Sequence, residues 1–117
     1  MAAILICNEK NSMNPSELKI IDVFKALLNK KIREPHLIAF GSRARGDAEP
    51  DSDLDVLLIV NELTPEIEDY ISECAWEAGF KYGIILVPVV FTRNEWENGP
   101  ERYSLLAEAI KSEGVNL

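Results

Sequence analysis

Apolar residues recur at three- and four-residue steps after Asn14: Leu18, Ile21, Phe24, Leu27, Leu28 and Ile32 share one helical face, with Lys25 and Asn29 outside it. Asn14 is placed to cap this helix, Pro15 takes its first position and Glu17 its third, and Pro35 ends it. Residues 1–13 show no clear period and are an unassigned lead to a core at 14–117. His36 to Phe40 reads as a short buried strand and Asp53 to Val60 as a second, rich in branched side chains. Thr64, Pro65 and Glu66 repeat the helix-start signal; Ile67, Tyr70, Ile71, Cys74 and Ala78 form the buried stripe, and Gly79 weakens its end. Tyr82 to Phe91 is apolar nearly throughout and predicts a third strand. Pro88 has no amide hydrogen for a ladder, which places that strand at an edge or at a bulge. Arg93 to Glu97 predicts one turn, Asn98 to Pro100 a break, and Glu101 to Ser112 a last helix with Tyr103, Leu106 and Ile110 inward. The expected order is α β β α β α.

Composition narrows the class. The 117 residues suit one domain, and no repeat, low-complexity tract or linker divides them. The apolar runs Val56 to Val60 and Ile84 to Phe91 are far shorter than the roughly 20 residues of a membrane helix. The apolar start, Met1 to Cys7, lacks the positive region of a secretory signal, so a cytoplasmic location is expected. Cys7 and Cys74 have no metal-binding or redox spacing and read as structural thiols. A net charge of −8 argues against nonspecific nucleic-acid binding, which depends on Lys and Arg displacing counterions from phosphates. Lys30, Lys31 and Arg33 form the one basic cluster and read as a solvated helix end.

The chemistry is concentrated between residues 41 and 60. Asp53 and Asp55 stand two apart at the predicted start of a strand, so both side chains point the same way. Parallel carboxylates that close repel unless a cation lies between them, and oxygen-only ligation suits Mg2+. Gly41 and Ser42 end the preceding strand, where the missing Cβ lets backbone approach an anion and a hydroxyl adds a donor, a seat for phosphate. Arg43 and Arg45 would neutralise phosphate charge or else pair with Asp47, Glu49 or Asp51; Gly46 permits the turn back. Gly-Ser followed after ten residues by Asp-x-Asp arises by chance in roughly one chain of this length in a thousand at ordinary composition.

With Ala44-Arg45-Gly46 and Ser52-Asp53-Leu54-Asp55 added, the motif resembles that of the nucleotidyltransferase superfamily, which includes DNA polymerase beta and the kanamycin nucleotidyltransferases. It is most similar to the short bacterial and archaeal minimal nucleotidyltransferases. The resemblance implies an α/β (α+β) fold like the polymerase beta catalytic domain, a small mixed sheet with helices packed on one face. It implies that Gly41 and Ser42, with Arg43, Arg45 and Ser52, hold the triphosphate of ATP or another NTP, and that Asp53 and Asp55 are catalytic and carry Mg2+. The implied reaction is attack of an acceptor hydroxyl on the α-phosphate with loss of pyrophosphate. Short members of this kind often accompany an all-helical HEPN-type protein and act as its antitoxin by adding AMP. A chain this short has no acceptor domain, so a helical partner or a second copy would complete the site.

One element departs from the family pattern. Family enzymes usually carry a third carboxylate on the next strand, whereas the likely equivalents here, near Val87 and Val89, are aliphatic. Glu95, Glu97 or a partner's residue would have to substitute. The alternative function is a catalytically degenerate nucleotide-binding or protein-interaction module. His36 reads as structural, Trp76 and Trp96 as core or helix packing, and Ser112 to Val115 as a helix end at a glycine, exposed to a partner.

Overall fold

The computed structural model describes residues 13–99 and 104–117. The first helix, α1 (Pro15–Leu28), starts at a reciprocal cap: the Glu17 amide donates to Asn14 Oδ1 at 2.9 Å, and the Asn14 amide donates to Glu17 Oε1 at 2.8 Å. Its buried face runs through Ile20, Ile21, Phe24 and Leu28; Ile21, Phe24, Leu28 and the following Ile32 are inside as expected, Ile20 joins them, and Leu18 and Leu27 are only partly covered. Glu17 is itself buried, so the true stripe contains a charge, which apolar periodicity cannot register.

Strand β1 (His36–Phe40) leads through the short helix α2 (Ser42–Arg45) to β2 (Leu54–Val60). Then come α3 (Pro65–Phe80), capped by Thr64 Oγ1, and β3 (Leu86–Thr92). Helices α4 (Arg93–Asn98) and α5 (Leu105–Glu113) and a two-residue strand β4 (Val115–Asn116) complete the order. The third strand is shorter than expected, because Lys81 to Gly83 turn and Ile84 and Ile85 precede the ladder. The last helix starts at Leu105, where Ser104 accepts from the Ala107 amide; Glu101 and Tyr103 of the expected helix lie outside the described residues, as do Cys7 and the lead through residue 12.

The sheet is mixed, in the order β3-β2-β1-β4. Strand β1 is antiparallel to β2 and β4, and β2 is parallel to β3, joined by the α3 crossover. Strand β3 is therefore an edge, and Pro88 sits there as its missing donor requires. Alternation along the strands serves two faces. Leu37, Ala39, Leu54, Val56, Leu58 and Val60 pack with the long helices α1 and α3, which share one face as expected. Ile38, Leu57 and Ile59 meet Trp96, Ala107 and Ile110, so the short α4 and α5 add a partial layer on the other face.

The segment after α5 is not an exposed end. Gly114 and Val115 are buried, Val115 pairs with Ala39, and a Cβ on Gly114 would lie 2.4 Å from the Ile110 carbonyl oxygen and 2.8 Å from Ile38 Cγ2. His36 has the structural place expected of it: its Nε2 lies 3.1 Å from Asn116 Oδ1 and ties β1 to β4. Cys74 is buried in the larger core, where burial pushes its thiol pKa up and away from reactivity.

Phe24 is fully enclosed between α1, α3 and the sheet. Phe24→Ala is expected to lower the unfolding free energy by about 3–5 kcal/mol, read as a shifted urea midpoint at unchanged slope.

Candidate functional site

The antiparallel pairing of β1 with β2 places Phe40 opposite Asp55, so the end of one strand meets the start of the other. Gly41 follows Phe40 with φ of 79°, a left-handed conformation that strains any side chain-bearing residue. A Cβ there would also stand 2.6 Å from Asp55 Oδ2. Both requirements select glycine, and both hold the 41–42 turn directly against a carboxylate. Ser42 opens α2, and its carbonyl accepts from the amides of Gly46 and Asp47, which closes the turn.

Arg43 has a different place from the phosphate contact expected of it. Its guanidinium is buried and spent on three acceptors: Glu17 Oε2 at 2.8 Å, the Ser52 carbonyl at 2.8 Å and the Pro50 carbonyl at 3.0 Å. Its partner is none of Asp47, Glu49 or Asp51. One buried arginine thus fastens the start of α1, helix α2 and the loop that delivers the aspartates. Ser52 is held through its backbone, with its carbonyl on Arg43 and its amide donating to the Glu49 carbonyl at 3.0 Å. The sequence marked Glu17 as a cap, but nothing local showed that its second oxygen reaches 26 positions ahead.

Arg45 is exposed and pairs with Asp47 Oδ2 at 3.3 Å, one of its expected partners, and with Glu113 Oε2 at 2.9 Å at the end of α5. These hydrogen bonds, that with Glu113 first, raise its pKa; being open to water they are weak enough to exchange for another anion.

Asp53 lies just ahead of β2, exposed, and Asp55 is its second residue, half-buried. Burial first, and the nearby Asp53 charge second, hold the Asp55 carboxyl above the ordinary carboxylate range. Among the described residues no cluster of three or more His, Cys, Asp or Glu side chains forms a closed metal cage. Two adjacent carboxylates, one destabilised as an anion, fit a cation that completes its shell with phosphate oxygens, the usual manner of Mg2+.

Asp55 pairs in register with Val87 of β3, and Val89 is two residues further on, so aliphatic side chains occupy the positions beside the carboxylates. Glu95 and Glu97 do not replace the missing acid. Helix α4 begins beyond Thr92, roughly 16 Å of strand from Val87 at the opposite end of the sheet, and the Glu95 carboxylate caps α4 by accepting from the Thr92 amide at 3.0 Å. Trp96 packs in the core against Phe91, as expected, but Trp76 does not. It is 67% exposed and stacks on Phe80, which is 68% exposed, with ring centroids 4.7 Å apart. The helical phase that buries Ile71, Cys74 and Ala78 turns position 76 outward, and that phase was the available signal.

Comparisons with known proteins bear on the family and the fold. The family described as nucleotidyltransferase domain matches residues 17–113. A candidate protein adenylyltransferase of Methanocaldococcus jannaschii is 33% identical over 79 residues, 65% of this chain and 80% of that protein. A crystal structure of a toxin-antitoxin with AMP-PNP contains a chain of similar fold, with a TM-score of 0.56 and 20% identity, covering 86% of this chain and 70% of the other.

Two outcomes follow from the local energetics. Glu17→Ala strands the buried Arg43 charge and opens the α1 cap, and is expected to cost about 3–5 kcal/mol of stability by denaturant titration, far more than an exposed ion pair. Because the Asp55 pKa is raised in the fold, its stabilising contribution is present in acid and lost as pH rises through that value. With chelator present, Asp55→Asn should therefore melt above the unsubstituted protein at pH 7. That gain should vanish below about pH 4, where the carboxyl is protonated in both states.

Proposed function

Because the chain belongs to the nucleotidyltransferase domain family, we propose that it transfers the nucleoside monophosphate of an NTP, AMP from ATP, to a hydroxyl on a partner protein. The observation that carries this reading is the contact of Gly41 with Asp55, which joins a glycine-serine turn and a carboxylate pair at adjoining strand ends. Gly41 and Ser42 receive the triphosphate, and Asp53 and Asp55 hold Mg2+. Arg45 releases its water-exposed partners to add positive charge, while Arg43 and Ser52 keep the loop in place. Bound Mg2+ neutralises charge on the phosphate oxygens and lowers the barrier to substitution at phosphorus.

The acceptor oxygen bonds to the α-phosphorus, the bond from that phosphorus to the bridging oxygen breaks, and pyrophosphate leaves with those electrons. The hydroxyl proton passes to water, since Val87 stands beside Asp55 where a carboxylate could have received it. Transfer to protein is supported by the adenylyltransferase relative, and a partner chain by the toxin-antitoxin assembly in which the similar fold occurs; the helical HEPN-type identity of that partner is carried over from the motif resemblance alone. The site of action proposed is the cytoplasm, where ATP is supplied; among the described residues no helix is long and apolar enough to cross a membrane.

Val87 also favours a second reading, a module that binds nucleotide without turning it over. A general base contributes about a hundred- to ten-thousand-fold in rate, so its loss separates slow transfer from none only by measurement. Calorimetric titration with ATP, with and without Mg2+, is expected to show Mg2+-dependent binding that weakens at least roughly tenfold in Asp53→Ala with Asp55→Ala. Binding that survives in that variant, or none in the folded unsubstituted protein, refutes the site. Label carried from the α-phosphate to an acceptor separates transfer from binding alone.

A further inference from the structure

An exposed apolar feature adjoins the carboxylate end of the sheet. Trp76 and Phe80 stack on the outside of α3, and Ile85, 67% exposed, lies on the turn into β3. Together they line a hollow of about 550 Å³ that runs along the β3 edge to Val87, the register partner of Asp55. Three large side chains held in water at one place are the mark of an interaction surface, since scattered exposure would need no explanation.

We infer that this ledge is the docking surface for the acceptor, a protein that presents an apolar anchor with lysine or arginine around it. The inference rests on the transferase reading and adds to it where the acceptor binds and what its surface carries. Sheet order supplies the side of approach. The glycine-serine turn ends β1, the carboxylates stand on β2, and the ledge follows on β3, so the ledge lies across the carboxylates from the phosphate seat. Displacement at phosphorus places nucleophile and leaving group on opposite sides, which puts the acceptor toward β3.

Face and charge then select the class of acceptor. Leu54 and Val56 point toward α1 and α3, so Asp55 points to the other face, and a ligand seated on Trp76 reaches it only around the β3 edge. A folded protein surface spans that path and a small alcohol does not. Glu73 and Glu77 border a second hollow beside Trp76; Lys81 sits over the Tyr82 ring, and Lys31, over the Tyr70 ring, and Lys30 lie on the Cys74 side of α3. An acidic border of this kind attracts a basic surface and repels a second copy of a chain with net charge −8.

The test uses two dye-labelled random copolymers, lysine with tyrosine and glutamate with tyrosine, followed by anisotropy and by tryptophan emission with Mg-ATP present. The lysine-tyrosine copolymer is expected to bind and blue-shift the exposed Trp76, while the glutamate-tyrosine copolymer does not bind. Trp76→Ala with Phe80→Ala should weaken binding at least roughly tenfold, as loss of anchor residues does, with Mg-ATP affinity unchanged. Equal binding to the variant, no shift of Trp76 emission, or no binding by the unsubstituted protein overturns the inference. So does a dimer in sedimentation that the double variant dissolves, because the ledge would then belong to a second copy. Ledge-dependent binding of the copolymer in a protein that fails to bind Mg-ATP would uphold the surface and reject the nucleotide reading instead.

Discussion

The buried pair between Glu17 and Arg43 is the constraint on which the rest of the site depends. A guanidinium inside a protein is costly unless its charge is matched and its donors are met, and here a carboxylate and two loop carbonyls meet them. Because those acceptors come from α1 and from Pro50 and Ser52, just before Asp53, satisfying the arginine fixes where that end of the loop lies. The ten residues between Gly41-Ser42 and Asp53 hold Arg43 itself, the rest of α2 and the loop whose carbonyls receive its guanidinium.

The arrangement explains the division of labour between two arginines that look alike in the sequence. Arg43 is sealed in and acts on the loop; Arg45 faces water and is held only by surface partners that another anion can displace. The same contrast separates the carboxylates. Asp53 is hydrated, while Asp55 is partly withdrawn from water against Gly41, so the pair stores a repulsion that a cation relieves. Beside that pair the neighbouring strand places Val87, in register with Asp55, and Val89 two residues further on.

Much of this was legible in the sequence because it is local. The caps at Asn14 and Thr64, the strand at His36 to Phe40, the edge position of Pro88 and the spacing of glycine, serine and aspartates each depend on residues a few positions apart. Backbone hydrogen bonding and side-chain alternation impose periods that survive in the order of residues, and a positive φ this close to the Asp55 carboxylate requires glycine at position 41. What only the tertiary structure decided are pairings across long separations. These include the partner of Arg43, the return of Val115 to β1 and the distance of Glu95 from the carboxylates. Such contacts are fixed by which faces remain after the core has closed, a property of the packed sheet and helices that no short window of sequence contains.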